Sequence, residues 1–182
     1  MMADVVSLSS PLDESTVRAL RAGQQVEFTG VVYTARDAAH KRLCKLLDKK
    51  QPLPVELNGQ VIYFCGPTPA KPGRAIGSAG PTTSSRMDAY SPQLIEKAGL
   101  RAMIGKGNRS PAVVDAMKKY GCVYLAATGG AGALISTAIR RSDVVCYEDL
   151  GPEAIRRLEV EALRLVVAID CSGESLYSRA QE

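Results

Sequence analysis

The stretch LRAMIGKGNRSPAVVDAMKKYGCVYLAA, residues 100–127, decides the fold class. LRAMIG reads as a strand. SPAVVDAMKKYG reads as a helix, with Ser110 at the N-cap, Pro111 at the first helical position and Gly121 just past the end. CVYLAA is an apolar run of the kind found in a buried strand. Working outward, QVEFTGVVYTA (25–35) is β-branched and aromatic and predicts a strand with a bulge at Gly30. In RDAAHKRLCKLLDKK (36–50), Ala39, Leu43, Leu46 and Leu47 share one helical face, and lysines close the segment. VIYFC (61–65) reads as a short strand, and PLDESTVRALRAG (11–23) as a loop or short helix. MDAYSPQLIEKAG (87–99) is helical in its second half and stops at Gly99. TGGAGALISTAI predicts a turn into a short helix, and DVVCYEDLG an extended segment. PEAIRRLEV (152–160) is expected to be a helix and RLVVAID a last buried strand. Strands alternating with short helices give an α/β fold, and the β-rich first third predicts a mixed sheet.

Composition narrows the function. A chain of 182 residues with 46% apolar and 23% charged residues has the make-up of one globular domain. We expect residues 1–182 to form a single domain with loose termini at 1–10 and 174–182. Aromatics are 5% with no Trp, which leaves little from which to build stacking platforms for nucleic acid. The net charge of +4 is interspersed, so it permits an anionic partner without naming one. No run approaches the ~18 apolar residues of a membrane span, and MMADVVSLSS lacks the pattern of a secretory signal. Five widely spaced Cys without C-x-x-C argue against a disulfide framework and against a metal or cluster held by this chain alone. These features predict a reducing, cytoplasmic setting, with no nucleic-acid and no membrane partner.

The glycines around Gly130 and Gly132 fail the dinucleotide pattern, because Ile135 stands where a third Gly is needed. GPTPAKPGRAIGSAGPTTSSR (66–86) is a long Pro- and Gly-rich loop, and loops of this length in compact domains are usually functional or disordered. At its end, Thr82 or Thr83 caps a helix-like start. Arg86 follows one turn after Thr82, which places a hydroxyl and a guanidinium on one side. KGNRS (106–110) carries two cations at the carboxyl end of a strand, where α/β domains bind ligands, although a solvated basic turn has the same composition. Arg36-Asp37 ends the first long strand in the same way. His40, the single imidazole, is read as a partly buried helix residue. Arg36, Arg86 and Lys106, all at element ends and with a hydroxyl nearby, suit a small polycarboxylate.

Five segments, YTARDAAHKRL (33–43), GPTTSSRMD (80–88), KGNRS (106–110), ATGGAGAL (127–134) and GPEAIRRLEVE (151–161), stand in an order and spacing that resemble the β subunit of class I fumarate hydratases. They are equally similar to the C-terminal domain of single-chain enzymes of that class. The resemblance runs from about Pro11 to Gly173. It implies a swivelling β/β/α domain and a hydro-lyase that interconverts fumarate and L-malate. It also implies an iron–sulfur (4Fe–4S) cluster on a partner α subunit, in an assembly of two α and two β subunits. By resemblance, Thr82 matches the base that takes the C3 proton of malate, and Arg36, Arg86 and Lys106 match the carboxylate-binding cations. L(+)-tartrate dehydratase β subunits and mesaconate hydratases share the scaffold, and a stand-alone dicarboxylate-binding module is the alternative without chemistry.

Overall fold

The structure, a computed structural model, describes residues 5–127 and 132–179. Its strands are β1 (Val6–Ser9), β2 (Gln25–Thr34), β3 (Val61–Tyr63), β4 (Ala102–Gly105), β5 (Val123–Ala127), β6 (Ile139–Cys146) and β7 (Ile155–Ile169). The helices are α1 (Glu14–Ala19), α2 (Asp37–Asp48), α3 (Ser91–Ala98), α4 (Pro111–Tyr120), α5 (Gly132–Thr137) and α6 (Leu176–Arg179). Two 3₁₀ segments, Ser84–Met87 and Glu148–Glu153, complete the order. The α/β reading with a mixed sheet is therefore right, and the sheet closes on itself as a β/β/α domain requires. β1 through β5 run parallel in the order β1-β2-β3-β4-β5, and β7 is antiparallel to both β5 and β2. That double pairing joins β2, β3, β4, β5 and β7 into a ring, with β6 attached outside β7.

Alternation along each strand sorts the side chains into two cores, because successive residues face opposite sides. Phe28, Val32, Val61, Tyr63, Ile104, Leu125, Leu158 and Leu165 fill the ring. Ile62, Phe64, Met103, Tyr124 and Ile169 face outward, beneath α2, α3 and α4, where they meet Leu43, Leu94, Ile95, Val113 and Met117. Val17 of α1 joins the ring's contents from one side, while Ile76, Ala79 and Ile135 join them from the long loop and α5. The long loop is thus tied down by apolar anchors, and the Tyr63 hydroxyl donates to the Ala79 carbonyl.

Local signals explain most boundaries. α3 and α4 end at Gly99 and Gly121, whose φ of 70° and 73° is the left-handed C-cap that glycine adopts without cost. Pro111 starts α4 as expected, but Ser110 caps it without a side-chain bond. Its N–H instead donates to Asp88 Oδ2 at 2.7 Å.

Four expectations fail. Leu176–Arg179, within the terminus expected to be loose, form α6, and residues 148–151, at the end of a segment expected to be extended, lie in a 3₁₀ segment. Residues 6–9, assigned to a loose terminus, form β1 paired with Val26–Thr29. The segment 152–160, expected to be a helix, is the start of the 15-residue β7 from Ile155 onward. Ile155 and Leu158 satisfy a helical spacing, but Val160 continues the burial at a spacing of two. Pairing on both edges, with β2 and with β6, overrides the local helical tendency.

The bulge predicted at Gly30 is present: the β2–β7 register shifts between Phe28 and Gly30, whose φ is 140°. A Cβ there would stand 2.8 Å from Ser10 Oγ, the hydroxyl that bonds both Val31 N–H and Val31 C=O at 2.8 Å. Gly30→Ala should therefore cost about 1–3 kcal/mol through strain and the displaced hydroxyl, read as a lower urea midpoint at unchanged m. An unchanged midpoint would show that Ser10 does not pin this bulge.

Candidate functional site

The parallel arrangement of β2, β3 and β4 sets their carboxyl ends along one rim, where ligands gather in α/β sheets. Arg36 follows β2, Gly66 follows β3 and Lys106 follows β4. The end of the long loop returns across this rim. Thr82 N–H donates to the Phe64 carbonyl at 2.6 Å, and Ser84 N–H donates to the Lys106 carbonyl at 3.0 Å. Thr83 forms a parallel bridge with Lys106. Thr82 is thus pinned beside the ends of β3 and β4, next to the backbone that carries Lys106.

Ser84 makes this seam specific. Lys106 N–H donates to its Oγ at 3.0 Å, and that hydroxyl lies 2.8 Å from the Tyr124 hydroxyl. Tyr124 donates to the Gly107 carbonyl at 2.8 Å, so its proton is committed and Ser84 is the donor between the two hydroxyls. Burial pushes the Tyr124 phenol well above its ordinary range, so it stays neutral. Gly105 is required beneath the seam, since a Cβ there would meet Ser84 Oγ at 1.9 Å.

The two cations of KGNRS separate. Lys106 is exposed at the rim, whereas the Arg109 side chain is 0% exposed. Arg109 Nε lies 2.7 Å from Asp88 Oδ1, its Nη2 donates to Ser91 Oγ at 2.7 Å, and the guanidinium packs between the rings of Phe64 and Tyr124 at 5.0 and 5.1 Å. Asp88 also accepts from Ser110 N–H, so one carboxylate fixes both the arginine and the start of α4. Arg109 supports the rim from behind.

The remaining predicted cations each face an acid. Arg86 Nε and Nη2 lie 2.9 and 2.8 Å from Asp37 Oδ2, and Arg36 Nε lies 3.6 Å from Glu153 Oε1. The Arg36 side chain lies over Gly66, where a Cβ would come 2.8 Å from Nη1. Among the four predicted residues, the Asp37 contact ties Arg86 to the Arg36 end of α2, and the Ser84 seam ties Thr82 to Lys106. Sequence reasoning named the four, and Asp37 beside Arg36, but missed Asp88, Ser84, Tyr124 and Glu153. Asp37, Ser84, Asp88 and Glu153 lie inside the motifs, whereas Tyr124 carries no local signal. Gly129 and Gly130, also singled out, lie outside the described residues.

His40 packs behind Arg36. Its ring is fully buried and donates from Nδ1 to the Arg36 carbonyl at 2.8 Å, which leaves Nε2 unprotonated. Phe64 lies edge-on to it at 5.4 Å. Among the described residues no group of three His, Cys, Asp or Glu side chains converges to hold a metal. The cysteines are unpaired, and burial pushes the thiols of Cys65 and Cys122 up to about 12 and that of Cys44 to about 11. Dispersed thiols of this kind do not fit an iron–sulfur cluster. No helix of the described residues is long and apolar enough to cross a membrane.

Residues 2–180 match the family described as Fumarase C-terminus. A putative class I fumarate hydratase of Geobacillus stearothermophilus is 38% identical over 177 residues, covering 95% of this chain and 34% of the relative. A putative L(+)-tartrate dehydratase subunit beta of Methanocaldococcus jannaschii is 37% identical, covering 94% of this chain and 90% of the relative. An aerobic class I fumarate hydratase of Salmonella typhimurium is 36% identical, covering 97% of this chain and 31% of the relative. The chain therefore spans about a third of the fumarate hydratases and nearly all of the tartrate dehydratase subunit.

Burial sets a pH dependence at His40. Desolvation pushes its pKa down to about 4 from 6.5, so the unfolded chain takes up a proton that the folded chain refuses. The stability this residue contributes is complete above pH 6.5 and falls as the pH drops towards 4. Between pH 7 and 5 the loss attributable to His40 should be about 2 kcal/mol, measured as the difference between wild type and His40→Gln in urea unfolding. An imidazole that titrates near 6.5 by NMR in the folded chain would contradict this.

Proposed function

The chain belongs to the fumarase C-terminus family, and from that premise we propose that it is the β subunit of a fumarase-type hydro-lyase, hydrating fumarate to L-malate and the reverse together with an iron–sulfur α subunit. The observation that carries the reading is the rim itself. Arg36 follows β2, Arg86 lies in the 3₁₀ segment just after Thr82, and Lys106 follows β4 and bridges Thr83, next to the threonine whose backbone is tied to Phe64 at the end of β3. Guanidinium and ammonium groups at such a rim suit the two carboxylates of a small diacid, with Arg forming bidentate forks.

In this reading the cations bind the diacid, and Thr82 Oγ1 takes the C3 proton of malate. The charge that develops spreads into the neighbouring carboxylate, where Arg36, Arg86 and Lys106 stabilise it more than they stabilise the ground state. A threonine hydroxyl is a weak base, so the same cations lower the cost of its alkoxide. The acid that assists the departing hydroxide belongs to the partner. So does the 4Fe–4S cluster, since the cysteines of this chain do not fit one. The described cysteines are all unpaired, which supports a reducing, cytoplasmic setting.

L(+)-tartrate dehydration is the second reading, supported by the 37% identity to the putative L(+)-tartrate dehydratase subunit beta of Methanocaldococcus jannaschii. Anaerobic assays of the chain with its iron–sulfur partner against fumarate, mesaconate and L(+)-tartrate separate the two. The first reading expects fumarate to be the best substrate. Best turnover of tartrate would transfer the same chemistry to the other diacid, and silence from a mixture with an intact cluster would favour a binding module. In that assembly Thr82→Ala should lower kcat by roughly 10²–10⁴ at unchanged thermal stability, and near-normal turnover would remove Thr82 from the chemistry. Arg86→Met should lose about 1.5–3 kcal/mol of kcat/KM. Unchanged constants would show that Arg86 does not meet the substrate.

A further inference from the structure

Each of the two rim arginines faces an acid through its Nε edge, Arg86 by hydrogen bonding and Arg36 by charge alone, and these acids have no role in the reaction above. Arg86 meets Asp37 along one edge only: Nε and Nη2 both reach Oδ2, at 2.9 and 2.8 Å. The outer edge, formed by Nη1 and the second proton of Nη2, is left for a ligand on a side chain that is 53% exposed. Asp37 is itself fixed as the first residue of α2. Arg36 turns its Nε to an acid as well, Glu153 Oε1, at 3.6 Å and beyond hydrogen-bond reach. Both of those atoms are buried and make no hydrogen bond, so the charge pairing is what each receives from the other. The bare backbone of Gly66 leaves space for Nη1 and Cδ of Arg36, which a Cβ would approach to 2.8 and 3.0 Å, and the Pro152 carbonyl lies on the same side. Pro152 and Glu153 come from GPEA, a motif without a role of its own so far.

We propose that Asp37 and Glu153 are positioning residues that grip the Nε edges of Arg86 and Arg36 and so turn their outer forks to the two carboxylates of the substrate. This rests on the diacid reading of the rim. A long exposed arginine left alone samples many rotamers, and a carboxylate on its inner edge selects one before the ligand arrives. The geometry also distinguishes a grip from a competitor. A carboxylate on the outer edge would have to leave when substrate binds, whereas one on the inner edge stays.

The test uses the chain assembled with its iron–sulfur partner and a double-mutant cycle. Asp37→Asn should lower kcat/KM for the diacid by roughly tenfold, within the range of coupling between contacting residues, and by less than about twofold when Arg86→Met is already present. Glu153→Gln should behave in the same way against Arg36→Met. Additive losses, or a lower KM in Asp37→Asn, would overturn the grip. A readout independent of turnover is the Nε–H NMR resonance of each arginine in the full chain, assigned by its disappearance in the Met variant. The Arg86 signal should move in Asp37→Asn and the Arg36 signal in Glu153→Gln. Unmoved signals in an active enzyme would overturn this inference alone. A wild-type assembly with an intact cluster that turns over none of the three diacids would overturn the functional reading, and the role proposed for the two acids with it.

Discussion

The hydroxyl of Ser84 is the point on which the rim depends. It accepts from Lys106 N–H, gives its proton to Tyr124, and lies so close over Gly105 that no side chain fits between. Through it, the end of a long Pro- and Gly-rich loop is fastened to β4 and β5. A hydroxyl buried without partners would cost a few kcal/mol, so this arrangement is stable only because every bond in the chain from Lys106 to Gly107 is made. The consequence is geometric: Thr82 and Lys106, separated by 24 positions in sequence, are held against adjacent strand ends.

The ring makes such a rim available. Because β7 pairs with both β2 and β5, the parallel strands between them are closed into one body, and their carboxyl ends cannot drift apart. Charge is spent differently on the two sides of the rim. Arg109, inside, is compensated by Asp88, Ser91 and two aromatic rings. Removing one partner of such a pair would leave an uncompensated buried charge, which is costly. Arg86 and Lys106, outside, keep their charge in solvent. The same sequence motif, KGNRS, therefore supplies one cation to the structure and one to the surface.

Much of this was legible in the sequence because it is written in local terms. Gly99 and Gly121 mark helix ends through the left-handed conformation, Pro111 marks a helix start, and Gly30 marks a bulge. The four residues proposed for the rim were read in the sequence as charges and a hydroxyl near the ends of elements. β7 was misread because Ile155 and Leu158 stand three residues apart, as on one helical face, although on the strand they face opposite cores, and the deciding information lies on β2 and β6. Tyr124 was unreadable for the same reason. Within CVYLAA it looks like any core aromatic, and its hydroxyl acquires meaning only when Ser84 arrives from 40 positions away.

The family places this chain among proteins named as fumarate hydratases and as a tartrate dehydratase subunit, and the central claim is that its rim is where a diacid meets Thr82. The most direct measurement is a crystal structure of the chain assembled with the proposed iron–sulfur α subunit under anaerobic conditions, with malate bound. The account predicts carboxylate oxygens on Arg36, Arg86 and Lys106, and C3 of malate roughly 3–3.5 Å from Thr82 Oγ1, the separation of a near-attack arrangement. Malate bound elsewhere, or with C3 turned away from Thr82, would contradict it.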